Sequence, residues 1–117
     1  MLVKTNRLVK RKDFDNVFKN GKKHSLPGTE IYLKISKNKL KQSRFGFIVS
    51  KKVSKKAVVR NKIKRRLREI IRSNLPEVKK GIDVVIITLP GFEKNDFPTT
   101  KRMINKLFQR AGIISKK

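Results

Sequence analysis

Residues 44–74, RFGFIVSKKVSKKAVVRNKIKRRLREIIRSN, change their hydrophobic period partway along. In Arg44 to Ser50, Phe45, Phe47 and Val49 alternate with Gly46, Ile48 and Ser50, the period of two that marks a strand. From Ala57 to Asn74 the period becomes helical. Val59, Ile63, Leu67, Ile70 and Ile71 gather on one face at about 100° per residue. Leu75-Pro76 stops the helix, because proline disfavours helical geometry in the residue before it. Between strand and helix lies Ser50-Lys51-Lys52-Val53-Ser54-Lys55-Lys56, a basic loop whose hydroxyls, cations and following helical N–H groups suit phosphate.

Upstream, Arg11 to Asn20 places Phe14, Val17 and Phe18 on one stripe of a short helix, with Gly21 as its stop and Asp13 and Asp15 in its early turns. Thr29 to Ser36 alternates Ile31, Leu33 and Ile35 with Glu30, Tyr32 and Lys34, which predicts a strand. The polar run Lys37 to Ser43 reads as a hairpin connection to the next strand. A further short strand is expected near Lys23 to Leu26. Downstream, Ile82 to Leu89 is nearly all apolar apart from Asp83, as suits a strand covered on both faces. Asp96 or Thr99 caps a last helix with a buried stripe of Met103, Ile104, Leu107 and Phe108, ended by Gly112. The tail Ser115-Lys116-Lys117 is expected to fray. The fold class that follows is one α/β (α+β) domain over residues 1–117, a two-layer sandwich of helices on a small, mostly antiparallel sheet.

The chain has 117 residues, and 33 Lys and Arg stand against 8 Asp and Glu, a formal net charge of +25. Self-repulsion on that scale opposes a compact fold unless a polyanion neutralises it, and nucleic acid releases condensed counterions when it does so. An acidic membrane surface is the rival partner, but no stretch is a strongly hydrophobic amphipathic helix of the kind that lies in an interface. No apolar run approaches the ~20 residues a transmembrane helix needs. Cysteine is absent, so disulfides, thiol nucleophiles and Cys-ligated metals are excluded. The N-terminus lacks the apolar core of a secretory signal, which predicts a cytoplasmic protein.

The segment Lys51 to Arg72 carries eleven Lys or Arg and one acid, Glu69. On the helix, Arg60, Asn61, Lys64, Arg65, Arg68 and Arg72 span an arc of roughly 140°. Solvated helix faces usually mix Glu with Lys for i,i+4 pairing. This face almost lacks Glu, and guanidinium forks match phosphate oxygens and stack on bases. The aromatic candidates are Phe14, Phe18 and Tyr32. Periodicity alone assigns the two phenylalanines to the core, whereas the Tyr32 hydroxyl favours a wet site. If the first helix crosses the Tyr32 side of the sheet, all three line a groove suited to unpaired bases. The eight acids are scattered among different elements, His24 is the only histidine, and no phosphate-binding glycine loop is present, so no catalytic residue is assigned.

The run Arg60-Asn61-Lys62-Ile63-Lys64-Arg65-Arg66-Leu67-Arg68-Glu69, preceded by Gly46-Phe47-Ile48-Val49-Ser50-Lys51-Lys52-Val53, resembles the signature of the bacterial ribonuclease P protein family. Arg7-Leu8, Asp13-Phe14, Val17-Phe18 with Gly21, and Gly81-Ile82-Asp83-Val84-Val85-Ile86 are similar to that family's other patterns. The resemblance implies an α-β-β-β-α-β-α order with a left-handed β-α-β crossover. It implies a signature helix carrying Arg60, Asn61, Lys62, Lys64, Arg65 and Arg68 towards a catalytic RNA. It also implies a groove that binds the single-stranded 5′ leader of precursor tRNA, with Phe14, Phe18 and Tyr32 lining it and Lys51 and Lys52 nearby. On this resemblance catalysis is expected to belong to the RNA and its Mg²⁺ ions; the chain itself is expected to hold no cofactor, and its metal sites are unknown. Two positions depart from the pattern. Lys62 replaces an arginine and loses the fork, and Thr88-Leu89-Pro90 stands where the family often has an arginine.

The expected partners are therefore the ribonuclease P RNA and the precursor leader, with no membrane and no obligate protein partner. A ribosomal or other structural RNA-binding protein explains the charge and size equally well. A free-standing nuclease would need a carboxylate cluster that the sequence does not suggest.

Overall fold

The computed structural model describes residues 6–114; the N-terminal residues before Asn6 and the tail Ser115 to Lys117 lie outside that range. Seven α-helices and strands follow in the expected order among the described residues: α1 (Arg11–Asn20), β1 (Lys22–Ser25), β2 (Ile31–Lys37), β3 (Arg44–Ile48), α2 (Ala57–Asn74), β4 (Ile82–Thr88) and α3 (Phe97–Ala111), with short 3-10 turns at Leu75–Glu77 and Phe92–Lys94. The short strand expected near Lys23 is β1, and it places His24 opposite Leu33.

All seven residues of β4 are buried, and that fact organises the sheet. A strand apolar on both faces belongs in the interior, and the strand order is β1-β2-β4-β3. The hairpin expected across Lys37 to Ser43 is not formed. β4 lies between β2 and β3, antiparallel to the former and parallel to the latter, with Leu33 opposite Ile86 and Phe47 also opposite Ile86. Both polar-edged strands gain more by flanking the wholly buried, largely apolar one than by pairing with each other. Two of the three pairings are antiparallel, and β3-α2-β4 is a crossover joining adjacent parallel strands.

The alternation of side chains in β2 divides the core. Ile31 and Leu33 join Phe45, Val84 and Ile86 beneath α2 and α3, where Ile63, Leu67, Ile70, Ile71, Ile104, Leu107 and Phe108 complete the main cluster. Phe45 and Phe108 stack with centroids 6.2 Å apart. On the opposite face, Leu8, Val17, Val85 and Ile87 form a second, smaller cluster under α1. The sandwich thus has helices on both faces of the sheet rather than on one, as β4 requires.

Local chemistry fixes the helix ends. The Asp96 carboxylate accepts the Thr99 N–H at 2.8 Å and caps α3, so Asp96, not Thr99, is the cap. Gly112 closes that helix at φ 74°, the left-handed conformation in which glycine has no Cβ to clash. Gly21 also follows its helix, but with an extended φ of −81°. Its constraint is space: a Cβ there would collide with the Val17 carbonyl.

Candidate RNA-binding surface

α1 crosses the Tyr32 side of the sheet. Phe14, Phe18, Tyr32 and Ile48 pack against the smaller cluster, and all four remain half-buried. The two phenylalanines therefore serve as wall rather than deep core. Val17, one helical step away, takes the fully buried position instead.

Phe14 owes its place to Gly46. Any Cβ at Gly46 would run into the Phe14 ring, so the glycine lets the aromatic lie directly on the β3 backbone. Cations flank the other two rings. Lys23 Nζ lies 4.6 Å from the centroid of Tyr32, and Lys34 Nζ lies 5.5 Å from that of Phe18, both within the range of cation–π attraction. Lys34 also donates to the Phe18 carbonyl at 3.1 Å, tying the end of α1 to β2.

A partly buried ion network centred on the buried Asp83 fastens the other end of α1. Arg44 Nε and Nη2 donate to the two Asp83 oxygens at 2.9 and 2.6 Å. Its Nη1 reaches Asp13 at 3.1 Å, and Asn38 Nδ2 donates to Asp83 at 2.8 Å. The hydrogen bond from Arg44 to Asp83, with attraction to Asp83 and Asp13, outweighs desolvation and raises the Arg44 pKa above its ordinary value. Arginine is charged at any ordinary pH, and its contacts to Asp13 and Asp83 tie the first turn of α1 to β3 and β4.

The signature helix docks by Ile63, Leu67, Ile70 and Ile71. Asn61, Lys62 and Arg65 are exposed, while Arg60, Lys64 and Arg68 are half-buried along its margin. Arg60 is committed to structure, donating to the Ser54 carbonyl at 2.9 Å. The basic loop is also more ordered than its composition suggests: Val53 is buried in the main core. The Ser50 and Ser54 hydroxyls, expected to serve phosphate, accept the Lys52 and Lys56 backbone N–H groups at 3.2 and 3.3 Å. Lys51 and Lys52 project from the resulting turn into solvent, just beyond Ile48 at the end of β3. No side chain caps α2 at Lys56, and no acid stands in its first turn.

Phe14, Lys64 and Arg68 line one cavity with Arg7, so groove and helix meet in space. Sequence reading missed the parts of Arg7, Arg44 and Gly46. The one available signal was Gly46 itself, a glycine between two strand phenylalanines, which often marks close approach by another group. Among the described residues, no three His, Asp or Glu side chains gather as a metal site, and no helix is long and apolar enough to cross a membrane.

Fold and surface together define a small cationic α+β protein that joins an arginine-rich helix to an aromatic groove. The family model named Ribonuclease P matches residues 2–112. A "Ribonuclease P protein component" from Synechocystis sp. is 42% identical over 97% of this chain and 90% of its own length. Another, from Dictyoglomus turgidum, is 38% identical over 97% and 94%. Among solved structures, the RNase P protein from Thermotoga maritima in complex with 1-(4-fluorophenyl)-2-thiourea is similar at a TM-score of 0.80. It shares 38% identity, covering 89% of this chain and 98% of its own. The chain belongs to the ribonuclease P protein family.

Proposed function

We propose that the chain is the protein cofactor of ribonuclease P, the RNA-catalysed endonuclease that cleaves the 5′ leader from precursor tRNA. The observation that carries this is the half-buried aromatic trio Phe14, Phe18 and Tyr32, set in a groove beside the cationic helix of a family member. The catalytic RNA and its Mg²⁺ supply the hydrolytic chemistry, and no residue of this chain is assigned a catalytic role.

The chain's own contribution is binding. Unpaired leader bases stack on the aromatic rings, and Lys23, Lys34, Lys51 and Lys52 neutralise the phosphates that follow them. Asn61, Lys62 and Arg65, exposed on α2, face the catalytic RNA, with Lys64 and Arg68 at the margin between helix and groove. Arg60 holds the loop that carries Lys51 and Lys52. A net charge of +25 placed between two polyanions reduces their repulsion, so the RNA needs less Mg²⁺. The working compartment is the cytoplasm, where tRNA precursors are made.

The test is leader dependence. Added to the catalytic RNA, the protein should tighten binding of precursor tRNA far more than binding of mature tRNA. Equal tightening of both would remove the leader groove from the account and bring forward a general structural RNA-binding role.

A further inference from the structure

We propose that the cavity between the N-terminal segment, β3 and α2 is a seat for a single RNA phosphodiester, and that Arg7 is its central binding residue. The proposal rests on the ribonuclease P reading for the identity of the RNA. Its support is geometric. The cavity, about 220 Å³, is lined by Arg7, Lys64 and Arg68 and walled by Phe14, Gly46 and Phe47; no acidic residue lines it. Three cations from two separate parts of the chain therefore converge on one hollow without a protein counter-charge.

Arg7 is held there by the backbone. It pairs in parallel with Phe45 at the open edge of β3, and the Leu8 N–H donates to the Phe45 carbonyl at 2.8 Å. Its Nε is buried and has no hydrogen-bond partner among the described residues. A buried guanidinium N–H without an acceptor is disfavoured in the free protein. Its position is explained if an acceptor arrives with the ligand. Arginine suits a phosphate because its planar fork gives paired N–H donors. The hollow is below the size of ordinary small-molecule sites and admits an anionic group with part of its sugar, not a duplex. Because Phe14 belongs to the leader groove and Lys64 and Arg68 to the signature helix, the seat lies where the two surfaces join. The phosphodiester comes either from the leader or from the catalytic RNA.

The experiment compares wild type, Arg7→Lys and Arg7→Gln in the reconstituted holoenzyme over a series of KCl concentrations. One arm measures affinity for precursor tRNAs with leaders of increasing length; the other measures affinity of the protein for the catalytic RNA. Arg7→Gln should weaken one of these by about tenfold and make its slope of log affinity against log salt shallower by roughly 0.7–0.9, the loss of one phosphate contact. Arg7→Lys should keep the salt slope and recover only part of the affinity. A loss that grows with leader length assigns the phosphodiester to the leader; a loss confined to the second arm assigns it to the catalytic RNA. The thermal midpoint should hold or rise, because Arg7→Gln removes a buried donor that has no acceptor. Unchanged affinities and slopes with Arg7→Gln overturn the seat while leaving the cofactor function standing. Failure of the wild-type protein to assist the RNA overturns the function instead.

Discussion

Replacing Arg44 by Met should be among the most damaging single changes outside the apolar core. Asp83 is 3% exposed, and its carboxylate accepts three side-chain hydrogen bonds, two from Arg44 and one from Asn38. Arg44→Met removes both arginine contacts and leaves a buried carboxylate held by one amide. Breaking such a pair from one side costs about 3–5 kcal/mol. The Arg44 side chain is 21% exposed, so water reaches the pair and the lower end, about 3 kcal/mol, applies. The arm to Asp13 is one-quarter exposed and is worth only ~0.2–1 kcal/mol. For a chain of this size, ~3 kcal/mol corresponds to a fall of roughly 10–15 °C in thermal midpoint. Asp13→Asn should cost no more than a few degrees. Far-UV circular dichroism during urea and thermal unfolding gives both quantities. The double change Arg44→Met with Asp83→Leu should recover most of the loss, since it removes the stranded charge with its partner. The reasoning fails if the double variant is no more stable than Arg44→Met, or if Asp13→Asn costs as much as Arg44→Met.

Tyr32→Ala should weaken leader-dependent binding by the value of one stacked base, about 1–3 kcal/mol, whereas Tyr32→Phe should keep most of it; equal losses in the two would assign the effect to the hydroxyl. Gly46→Ala should push Phe14 off the β3 backbone, lowering stability by about 1–3 kcal/mol through overpacking and weakening leader binding with it. A thermal midpoint unchanged by Gly46→Ala would show that Phe14 does not rest there. At the α3 cap, hydrogen bonds from the side chain and backbone of Thr99 hold the Asp96 carboxyl below its ordinary 3.8. Because that folded-state value is depressed, the ionised cap stabilises the fold above the ordinary carboxylate range, and this contribution fades as pH falls through the folded-state value. Denaturation from neutral to acid pH should show the advantage of wild type over Asp96→Asn shrinking on acidification, and a constant difference would contradict it.

Much of this was legible in the sequence for identifiable reasons. α1 and α2 have the bounds their 3.6-residue stripes predict, with Gly21 after the first. But Leu75, before Pro76, is itself helical and opens a 3-10 turn over Leu75–Glu77, so the proline tightens the chain rather than turning it out of helical geometry. The nearly all-apolar run of β4 announced burial on both faces, but not which strands would flank it. Strand order is a long-range property, and the polar run before β3 looked like a hairpin because connection length alone cannot tell a neighbour from a strand one place further off. Phe14 and Val17 are indistinguishable by periodicity; only Gly46, on another element, decides which is wall and which is core. The cations of α2 were plain as a group, yet Arg60 turned out to be a brace for the loop. Arg7 escaped notice because its importance lies in a cavity shared with residues more than fifty positions away.

The most direct test of the whole account is cleavage of precursor tRNA at low Mg²⁺ by the protein alone, by bacterial ribonuclease P RNA alone, and by the two together. Cleavage at the mature 5′ end by the mixture only is the predicted result. Cleavage no better with the protein than without it would contradict the cofactor function, and cleavage by the repurified protein alone would mean that it carries an active site of its own.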